Sequence, residues 1–306
     1  MTNYQKRMAA YAEEAARLAA CDNTADLERA VRWLRQAECI VIGGAAGLSA
    51  AGGMDYMSRQ VLEEQFPALA AKGYDHLWQA LWDPARTETQ RWAMTAAEVL
   101  WACIDYPVVP CYDDLRELVE GRDYFILTSN IDRQFWKAGF DPCRIFAPQG
   151  DVTKLQCSVP CCHQTWDGEA VFRQIAAHTD PETFACRPED LPRCPYCGAP
   201  AVQNVRGPDC FVPEETMANK GPFEDFLKKA SERRTVFLEL GVGFNTPGMI
   251  RHPFQRLTWL WPKAKLIRMN RDYPSVPEKI RDKAIPIGGD IGRALHRMAG
   301  IAGKGA

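Results

Sequence analysis

Two close pairs of cysteines are the residues whose spacing points most directly to a defined chemistry. The four residues are Cys157, Cys161, Cys194 and Cys197, with 32 residues between the second and the third. Two such pairs can place four thiolates tetrahedrally around Zn²⁺, and a site with four protein ligands has no open position for a reactant. We therefore predict a structural zinc ion, with Cys162 or His163 as alternatives to Cys161. The competing interpretations are a set of buried free cysteines and a redox function of the second pair.

The composition favours metal over disulfides and excludes several classes of partner. Seven of the 12 cysteines fall between residues 157 and 210, and such clustering indicates metal binding in a reducing compartment. With 37 basic and 39 acidic residues the net charge is −2, so no basic field attracts nucleic acid. The first 20 residues lack the layout of a secretory signal, and no apolar run approaches the roughly 18 residues of a membrane span. We expect a cytoplasmic protein that binds neither membrane nor nucleic acid.

A segment of small residues at 43–53, with the sequence GGAAGLSAAGG, could hold a phosphate-bearing ligand. It follows an apolar run and precedes a helical pattern, so backbone N–H groups at a helix start could approach a pyrophosphate closely. The spacing Gly44-Ala45-Ala46-Gly47 departs from the usual dinucleotide fingerprint, and no acidic residue follows about 20 positions later. The ribose must therefore be held differently, and the alternative interpretation is a packing turn.

Apolar segments that alternate with helical patterns must position these residues. The predicted strands lie at 39–42, 123–132, 144–151, 233–247, 264–272 and 284–295, and the last leads into a closing helix. Two amphipathic helices are predicted before the first strand, at 3–37, with a break before Thr24. Thr24 together with Asp26 could cap the second helix. A helical module is predicted at about 54–120, after the first strand. This alternation predicts an α/β fold with a Rossmann-like doubly wound parallel sheet.

Ligands in such sheets bind outside the carboxyl ends of the strands. The segments expected at that edge are 44–49, 128–132, Gln149, 241–245 and Asn270. The cysteine-rich stretch at about 152–213 interrupts the pattern and is predicted to be a small inserted zinc-binding domain.

Four segments together resemble the sirtuin family from about residue 38 to the C-terminus. They are GAAGLSAAGG (44–53), TSNIDRQFWKAG (128–139), ELGVGFNTP (239–247) and RMNRD (268–272). The resemblance implies a Rossmann-like domain that binds NAD, formed by residues 1–151 and 214–306 with the helical module included, and a zinc-binding domain at 152–213.

Three departures make the sequence similar to one branch of that family. Residues 54–59 (MDYMSR) replace the common I-P-D-F-R, residues 204–214 replace the usual substrate-pairing segment, and Gln149 stands where the family has its general-base histidine. Together they resemble the macrodomain-linked (class M) sirtuins. That resemblance implies a protein ADP-ribosyltransferase whose acceptor is a lipoyl carrier related to glycine cleavage protein H, with an associated macrodomain hydrolase.

The glutamine bears directly on the activity. It has no usable pKa, so it can orient a group by hydrogen bonds but cannot deprotonate one, and loss of a general base typically costs about 10²–10⁴-fold. Deacylation should therefore be weak, whereas ADP-ribosyl transfer needs mainly binding and proximity. The alternatives are a deacylase in which Asp151 is the base, and a non-catalytic sensor of NAD or ADP-ribose.

The resemblance also assigns site residues. Asn130 and Asp132 match the family residues that hold the ribose region and the nicotinamide amide. From its own chemistry, Gln149 could orient a ribose hydroxyl or the acceptor, and Arg206 is the candidate that would grip an anionic acceptor or a phosphate. Simpler interpretations are a satisfied polar residue for Gln149 and a solvated charge for Arg206. The predicted cofactor-binding residues are Gly44, Ala45, Ala46, Gly47, Ser49, Gly53, Asp55, Tyr56, Ser129, Asn130, Asp132, Gln149, Gly241, Val242, Gly243, Asn245, Asn270, Arg271, Asp290 and Ile291.

Overall fold

The computed structural model describes residues 3–159, 161–207 and 209–303. Its strands are β1 (Cys39–Gly44), β2 (Tyr124–Thr128), β3 (Ile145–Phe146), β4 (Gly150–Cys157), β5 (Thr165–Asp167), β6 (Ala201–Val205), β7 (Thr235–Leu240), β8 (Lys265–Met269) and β9 (Ala284–Ile287). Six of them form a parallel sheet in the order β3-β2-β1-β7-β8-β9, and β5-β4-β6 form a small antiparallel sheet. The predicted Rossmann-like fold with a small inserted domain is confirmed.

Helices cover both faces of the large sheet. They are α1 (Asn3–Ala20), α2 (Thr24–Gln36), α3 (Ala46–Ala50), α4 (Arg59–Gln65), α5 (Pro67–Ala71), α6 (Leu77–Leu81), α7 (Glu88–Val99), α8 (Pro110–Val119), α9 (Gln134–Lys137), α10 (Glu169–Ala177), α11 (Glu214–Met217), α12 (Lys220–Ala230), α13 (Arg251–Leu260) and α14 (Ile291–Gly303). A π-helix at Leu100–Asp105 continues α7, and short 3₁₀ turns lie at Pro142–Arg144, Pro188–Asp190 and Glu278–Lys283. None of the helices in the described ranges is both long and apolar enough to cross a bilayer.

Side chains of β1 point alternately to the two faces of the large sheet and pack into two separate cores. Ile40 and Ile42 pack into a core with α2, α8 and α14, whereas Cys39 and Val41 pack into a second core with α12 and α13. Because β1 is buried on both faces, its sequence is a continuous apolar run rather than an alternating one. The in-register pairing of Gly44 with Thr128 and with Leu240 brings the carboxyl ends of three strands level, and this edge carries the predicted ligand segments.

Two local predictions were wrong. The segment 144–151 is not one strand: β3 ends at Phe146, and Gly150, at φ +104°, starts β4 of the other sheet after a turn. Thr24 does not cap α2 either. It is the first helical residue, and its own N–H donates to the Asp22 carboxylate at 3.0 Å.

The helical segment at 54–106 shares a core with the cysteine-rich insert. Met54, Ala96 and Val99 pack in one cluster with Leu155 and Phe172, which lie on β4 and α10. These contacts join segments that are far apart in sequence, so local sequence patterns do not predict them. The division of the chain at 151/152 and 213/214 stays a prediction.

Candidate functional site

Gly47 and Gly241 allow the small-residue loop after β1 to pack closely against the loop after β7. The Gly47 N–H donates to the Gly241 carbonyl at 3.1 Å, and the Ala45 N–H donates to the Leu240 carbonyl at 3.0 Å. A Cβ on Gly47 would lie 2.7 Å from the Gly241 Cα, which real Cβ atoms essentially never do. Gly47 is therefore closely packed and its N–H already has an acceptor, so this N–H is not available to a phosphate. Ala46 remains exposed at the start of α3.

The backbone at this edge still fits a dinucleotide. Gly44, Gly47, Gly241 and Gly243 bring no side chains to it, and Gly241 takes φ +66°, a conformation that glycine adopts without strain. A ligand could thus approach the main chain of two neighbouring strand ends. Ser129 belongs to the same edge, because its N–H donates to the Gly44 carbonyl at 3.1 Å.

Four buried polar side chains meet behind this loop. Ser49 Oγ lies 2.5 Å from Asp132 Oδ2 and 2.7 Å from the Tyr112 hydroxyl, and Asn130 Nδ2 lies 3.3 Å from both hydroxyl oxygens. Asp132 Oδ1 also accepts the Gln134 N–H at 3.0 Å. The sequence resemblance predicted Ser49, Asn130 and Asp132, and the fold brings these three together.

Burial sets the protonation of this group. Asp132 is 7% exposed, and desolvation raises the pKa of its carboxyl, against the lowering effect of the Ser49 and Gln134 hydrogen bonds. Tyr112 is fully buried, and desolvation raises the pKa of its phenol well above the usual range, so it stays a neutral donor. Sequence reasoning missed Tyr112, since its partners lie 63 and 18 residues away.

Asn270 and Val242 organise the next strand ends. Asn270 Nδ2 donates to the Val242 carbonyl at 2.9 Å, and its Oδ1 accepts the N–H groups of Asp272 and Tyr273. The Asn270 side chain thus fixes two loops of the candidate cofactor edge. Gly243 and the exposed Asn245 follow in the loop after β7.

The remaining predicted cofactor residues lie in more varied surroundings. The Tyr56 hydroxyl donates to the buried Glu98 at 2.6 Å, so it points into the helical segment. Asp55 faces the exposed Arg271 at 3.9 Å, and Gly53 takes φ +99°. Asp290 accepts the Arg293 N–H at 2.7 Å at the start of α14, where Ile291 is buried.

Gln149 and Arg206 both line an apolar cleft of roughly 680 Å³. The Arg206 N–H donates to the Gln149 carbonyl at 2.9 Å, and the Gln149 side chain is half-buried while Arg206 is exposed. The apolar walls come from Leu127, Phe146, Met217, Phe223, Met249 and Phe254, among others. Lys220 also lines the cleft. Among the described residues that line it, none is His, Asp or Glu.

The carboxylate of Asp151, two residues after Gln149, already has hydrogen-bond donors on both oxygens. Its Oδ2 accepts Arg133 Nη1 at 2.7 Å, and its Oδ1 accepts the N–H and the hydroxyl of Thr153 at 2.9 and 2.6 Å. Three donors therefore hold it in place as a structural anion between β4 and the loop after β2.

The two cysteine pairs converge into one cluster. The Sγ atoms of Cys157 and Cys197 lie 3.5 Å apart and those of Cys161 and Cys194 lie 3.6 Å apart, and all four are within 4.8 Å of one another. Zn–S bonds of about 2.3 Å in a tetrahedron require S–S separations of about 3.8 Å, so the cluster fits a structural zinc ion. His163 instead faces Glu214, 2.8 Å from its carboxylate.

Comparison with known proteins assigns the family. The protein ADP-ribosyltransferase of Staphylococcus aureus (strain Mu50 / ATCC 700699) is 32% identical over 259 residues, 84% of this chain and 81% of that protein. A probable bifunctional ADP-ribose hydrolase/ADP-ribosyltransferase of Fusarium oxysporum f. sp. cubense is 29% identical over 280 residues, 88% of this chain. The chain spans 47%, about half, of that second relative. No protein-family model matches the chain.

Solved structures give the same fold. A Sir2 enzyme aligns with a TM-score of 0.57 at 19% identity over 91% of this chain and 98% of its own. A Sir2 homologue in complex with ADP-ribose aligns with a TM-score of 0.57 at 16% identity over 90% and 96%. The chain belongs to the family of protein ADP-ribosyltransferases built on the sirtuin fold.

Proposed function

We propose that this chain transfers ADP-ribose from NAD to a protein side chain, and that a lipoylated carrier protein related to glycine cleavage protein H presents the acceptor. The observation that carries the proposal is that Gln149 lines the apolar cleft and that the described lining residues include no His, Asp or Glu. Such a site can bind and orient two reactants, but it offers no histidine or carboxylate as the general base for the later steps of deacylation.

The chemistry of the transfer suits these residues. NAD supplies an ADP-ribosyl group whose C1′ atom is bonded to a positively charged nicotinamide. Nicotinamide leaves as a neutral molecule with the electrons of that bond, so its departure needs no acid. The acceptor forms a new bond to C1′ and releases its proton to solvent. Asn130 and Gln149 would hold the ribose and the acceptor by hydrogen bonds, and proximity supplies much of the rate.

The cleft supports an acceptor with a long apolar arm. Its volume falls in the range of about 300–1,000 Å³ typical of small-molecule pockets, and its walls are aliphatic and aromatic. A lipoyl group on lysine would bury its alkyl chain there, a gain of about 0.8 kcal/mol per buried CH₂. Arg206 and Lys220 add positive charge for an acidic side chain of the carrier.

The two alternative functions find less support. A deacylase would need Asp151 as its base, and that carboxylate is held by Arg133 and Thr153. A pure sensor would not need an apolar cleft beside Gln149. We also infer a cytoplasmic location, where thiols stay reduced, and a hydrolase that removes the modification. The name of the Fusarium relative combines both activities in one protein.

The test is incubation with NAD labelled in the adenylate phosphate. The acceptors are the lipoylated carrier, the same carrier without lipoate, and an acetylated peptide. We expect label on the lipoylated carrier together with equimolar release of nicotinamide. Label on both carrier forms alike would remove the lipoyl requirement. Rapid peptide deacylation without labelled protein would overturn the proposal.

A further inference from the structure

The number of available hydrogens determines which group donates in each buried hydrogen bond around Ser49. A hydroxyl has one hydrogen, and an ionised carboxylate only accepts. Because Ser49 Oγ lies 2.5 Å from Asp132 Oδ2, the Ser49 hydrogen is donated to that carboxylate. At 2.7 Å from the same Oγ, the Tyr112 hydroxyl must therefore be the donor in its contact with Ser49.

The same count orients the amide of Asn130. The hydroxyl hydrogens of Ser49 and Tyr112 are both donated elsewhere, so each hydroxyl oxygen can only accept a hydrogen bond from the Asn130 side-chain group 3.3 Å away. That group must be the NH₂ of Asn130, which leaves its carbonyl oxygen Oδ1 turned away from the network. No described residue donates a hydrogen bond to Oδ1, so this oxygen remains for a ligand.

Packing holds Tyr112 in this role. The residue is fully buried, and its ring lies edge-on to Phe135 with centroids 4.9 Å apart. Phe135 in turn fills the space beside Gly44, where a Cβ would come within 2.7 Å of its ring. The Tyr112 hydroxyl therefore cannot swing away from Ser49 and Asn130 without repacking beneath the loop.

We propose that Tyr112 is a positioning residue that fixes the Asn130 amide with Oδ1 facing the bound nucleotide, as an acceptor for a ribose hydroxyl. This inference rests on the proposed function. Tyr112 touches no reactant and acts through Asn130. Without the Tyr112 hydroxyl the Asn130 NH₂ group keeps only Ser49 as an acceptor, so the amide is held less firmly. In the flipped orientation the NH₂ group, rather than Oδ1, would face the ribose hydroxyl.

The test is the rate of nicotinamide release by Tyr112→Phe, Asn130→Ala and the double variant. We expect Tyr112→Phe to lower kcat roughly 5- to 150-fold with KM for NAD little changed, as for loss of a buried hydrogen bond. The double variant should be no slower than Asn130→Ala alone, because the tyrosine acts through the asparagine. Equal fold losses in both backgrounds, or wild-type kcat in Tyr112→Phe, would overturn the inference.

Control variants distinguish the positioning role of Tyr112 from a general loss of stability. Tyr124→Phe removes a half-buried tyrosine hydroxyl from β2, away from Asn130, and should leave kcat unchanged. If Tyr112→Phe does not fold, Ser49→Ala breaks the same chain of hydrogen bonds but also frees Asp132, so the readout is then the Asn130 side-chain amide, whose hydrogen exchange should be faster in Ser49→Ala than in wild type.

Failure of the proposed function gives a different pattern. Nicotinamide release can be measured without any carrier, so an unlabelled carrier removes the acceptor proposal and leaves this test intact. If wild type releases no nicotinamide at all, hydrogen exchange of the Asn130 side-chain amide decides. We expect exchange roughly fivefold slower in wild type than in Tyr112→Phe, the factor that corresponds to one hydrogen bond of about 1 kcal/mol. Equal exchange would overturn the inference.

Discussion

The backbone N–H of Arg206 donates to the carbonyl of Gln149 at 2.9 Å, which joins residues that are 57 positions apart. This contact lies at the end of the β4–β6 pair, where Gly150 faces Val205. It brings together two residues that line the apolar cleft, one with an amide side chain and one with a guanidinium. Because the bond uses only main-chain atoms, either side chain can be changed without removing it.

Arg206 provides the first prediction. Arg206→Ala should raise the KM for the carrier by up to about fivefold, since exposed ion pairs contribute about 0.2–1 kcal/mol. KM for NAD should not change. Arg206→Lys keeps the charge and should recover most of the effect, and Arg233→Ala, an exposed arginine elsewhere, is the control. Steady-state kinetics with varied carrier checks this, and an unchanged KM in Arg206→Ala would make this residue a solvated charge.

The zinc cluster predicts a loss of folding energy when a ligand is removed. Purified protein should contain one zinc per chain, and Cys194→Ser should lose both the metal and solubility, because binding of a structural metal contributes to folding. Cys162→Ser is the matched control: its Sγ lies 3.8 Å from that of Cys161, but it is outside the cluster of four. Metal analysis by mass spectrometry is the measurement. Zinc lost from Cys162→Ser and kept in Cys194→Ser would contradict the assignment.

Gly47 should be sensitive to a single methyl group. Gly47→Ala places a Cβ 2.7 Å from Gly241 Cα, and overpacking of this kind costs typically about 1–3 kcal/mol. We expect a lower Tm and a weaker stabilisation by NAD. Gly221→Ala makes the same change in α12, where nothing lies within 4 Å, and should leave Tm unchanged or raise it. Thermal unfolding with and without NAD measures both, and equal Tm values for the two variants would refute the close packing.

The buried Glu98 predicts how stability depends on pH. Desolvation raises the pKa of its carboxyl to about 7 from an ordinary value of 4.5, against a smaller lowering by the Tyr56 hydrogen bond. A raised folded-state pKa means that the stabilising contribution is complete below pH 4.5 and is lost as pH rises to about 7. Glu98→Gln should therefore gain on the order of 3 kcal/mol over wild type at pH 8 and little at pH 4.5.

Denaturant unfolding at several pH values measures this effect. Glu64→Gln, an exposed glutamate in α4, should follow the wild-type curve. Parallel curves for wild type and Glu98→Gln would show that Glu98 does not titrate in this range.

Local patterns predicted most of the sheet and the metal cluster. The strands followed from apolar runs such as 39–42, and the zinc ligands from the spacing of the cysteine pairs. The break between β3 and β4 was missed, because the sequence indicates one strand over residues 144–151, whereas Gly150, at φ +104°, starts a strand of the other sheet. Tyr112 was also missed, since its hydrogen bonds depend on contacts between segments that only the fold brings together.

The family resemblance also predicted site residues, but not the hydrogen-bond partners of their side chains. It named Asp132 as a ligand for the nicotinamide amide, but not that Ser49 and Gln134 already occupy both carboxylate oxygens. It named Tyr56 as a cofactor residue, whereas the hydroxyl is directed at Glu98. Motifs specify residue types at positions, while hydrogen-bond partners depend on the packing of distant elements.

We expect Gln149 to orient a reactant in ADP-ribosyl transfer and not to act as a base. The most direct measurement is label transfer from NAD to the lipoylated carrier by wild type, Gln149→Ala and Gln149→His, with peptide deacylation in parallel. We expect wild type to label the carrier and Gln149→Ala to be slower by roughly 5- to 150-fold, the cost of a lost buried hydrogen bond of about 1–3 kcal/mol. Gln149→His need not gain deacylation, since residues 204–214 also differ from the deacylase pattern. Robust deacylation by wild type with no label on the carrier would contradict the account.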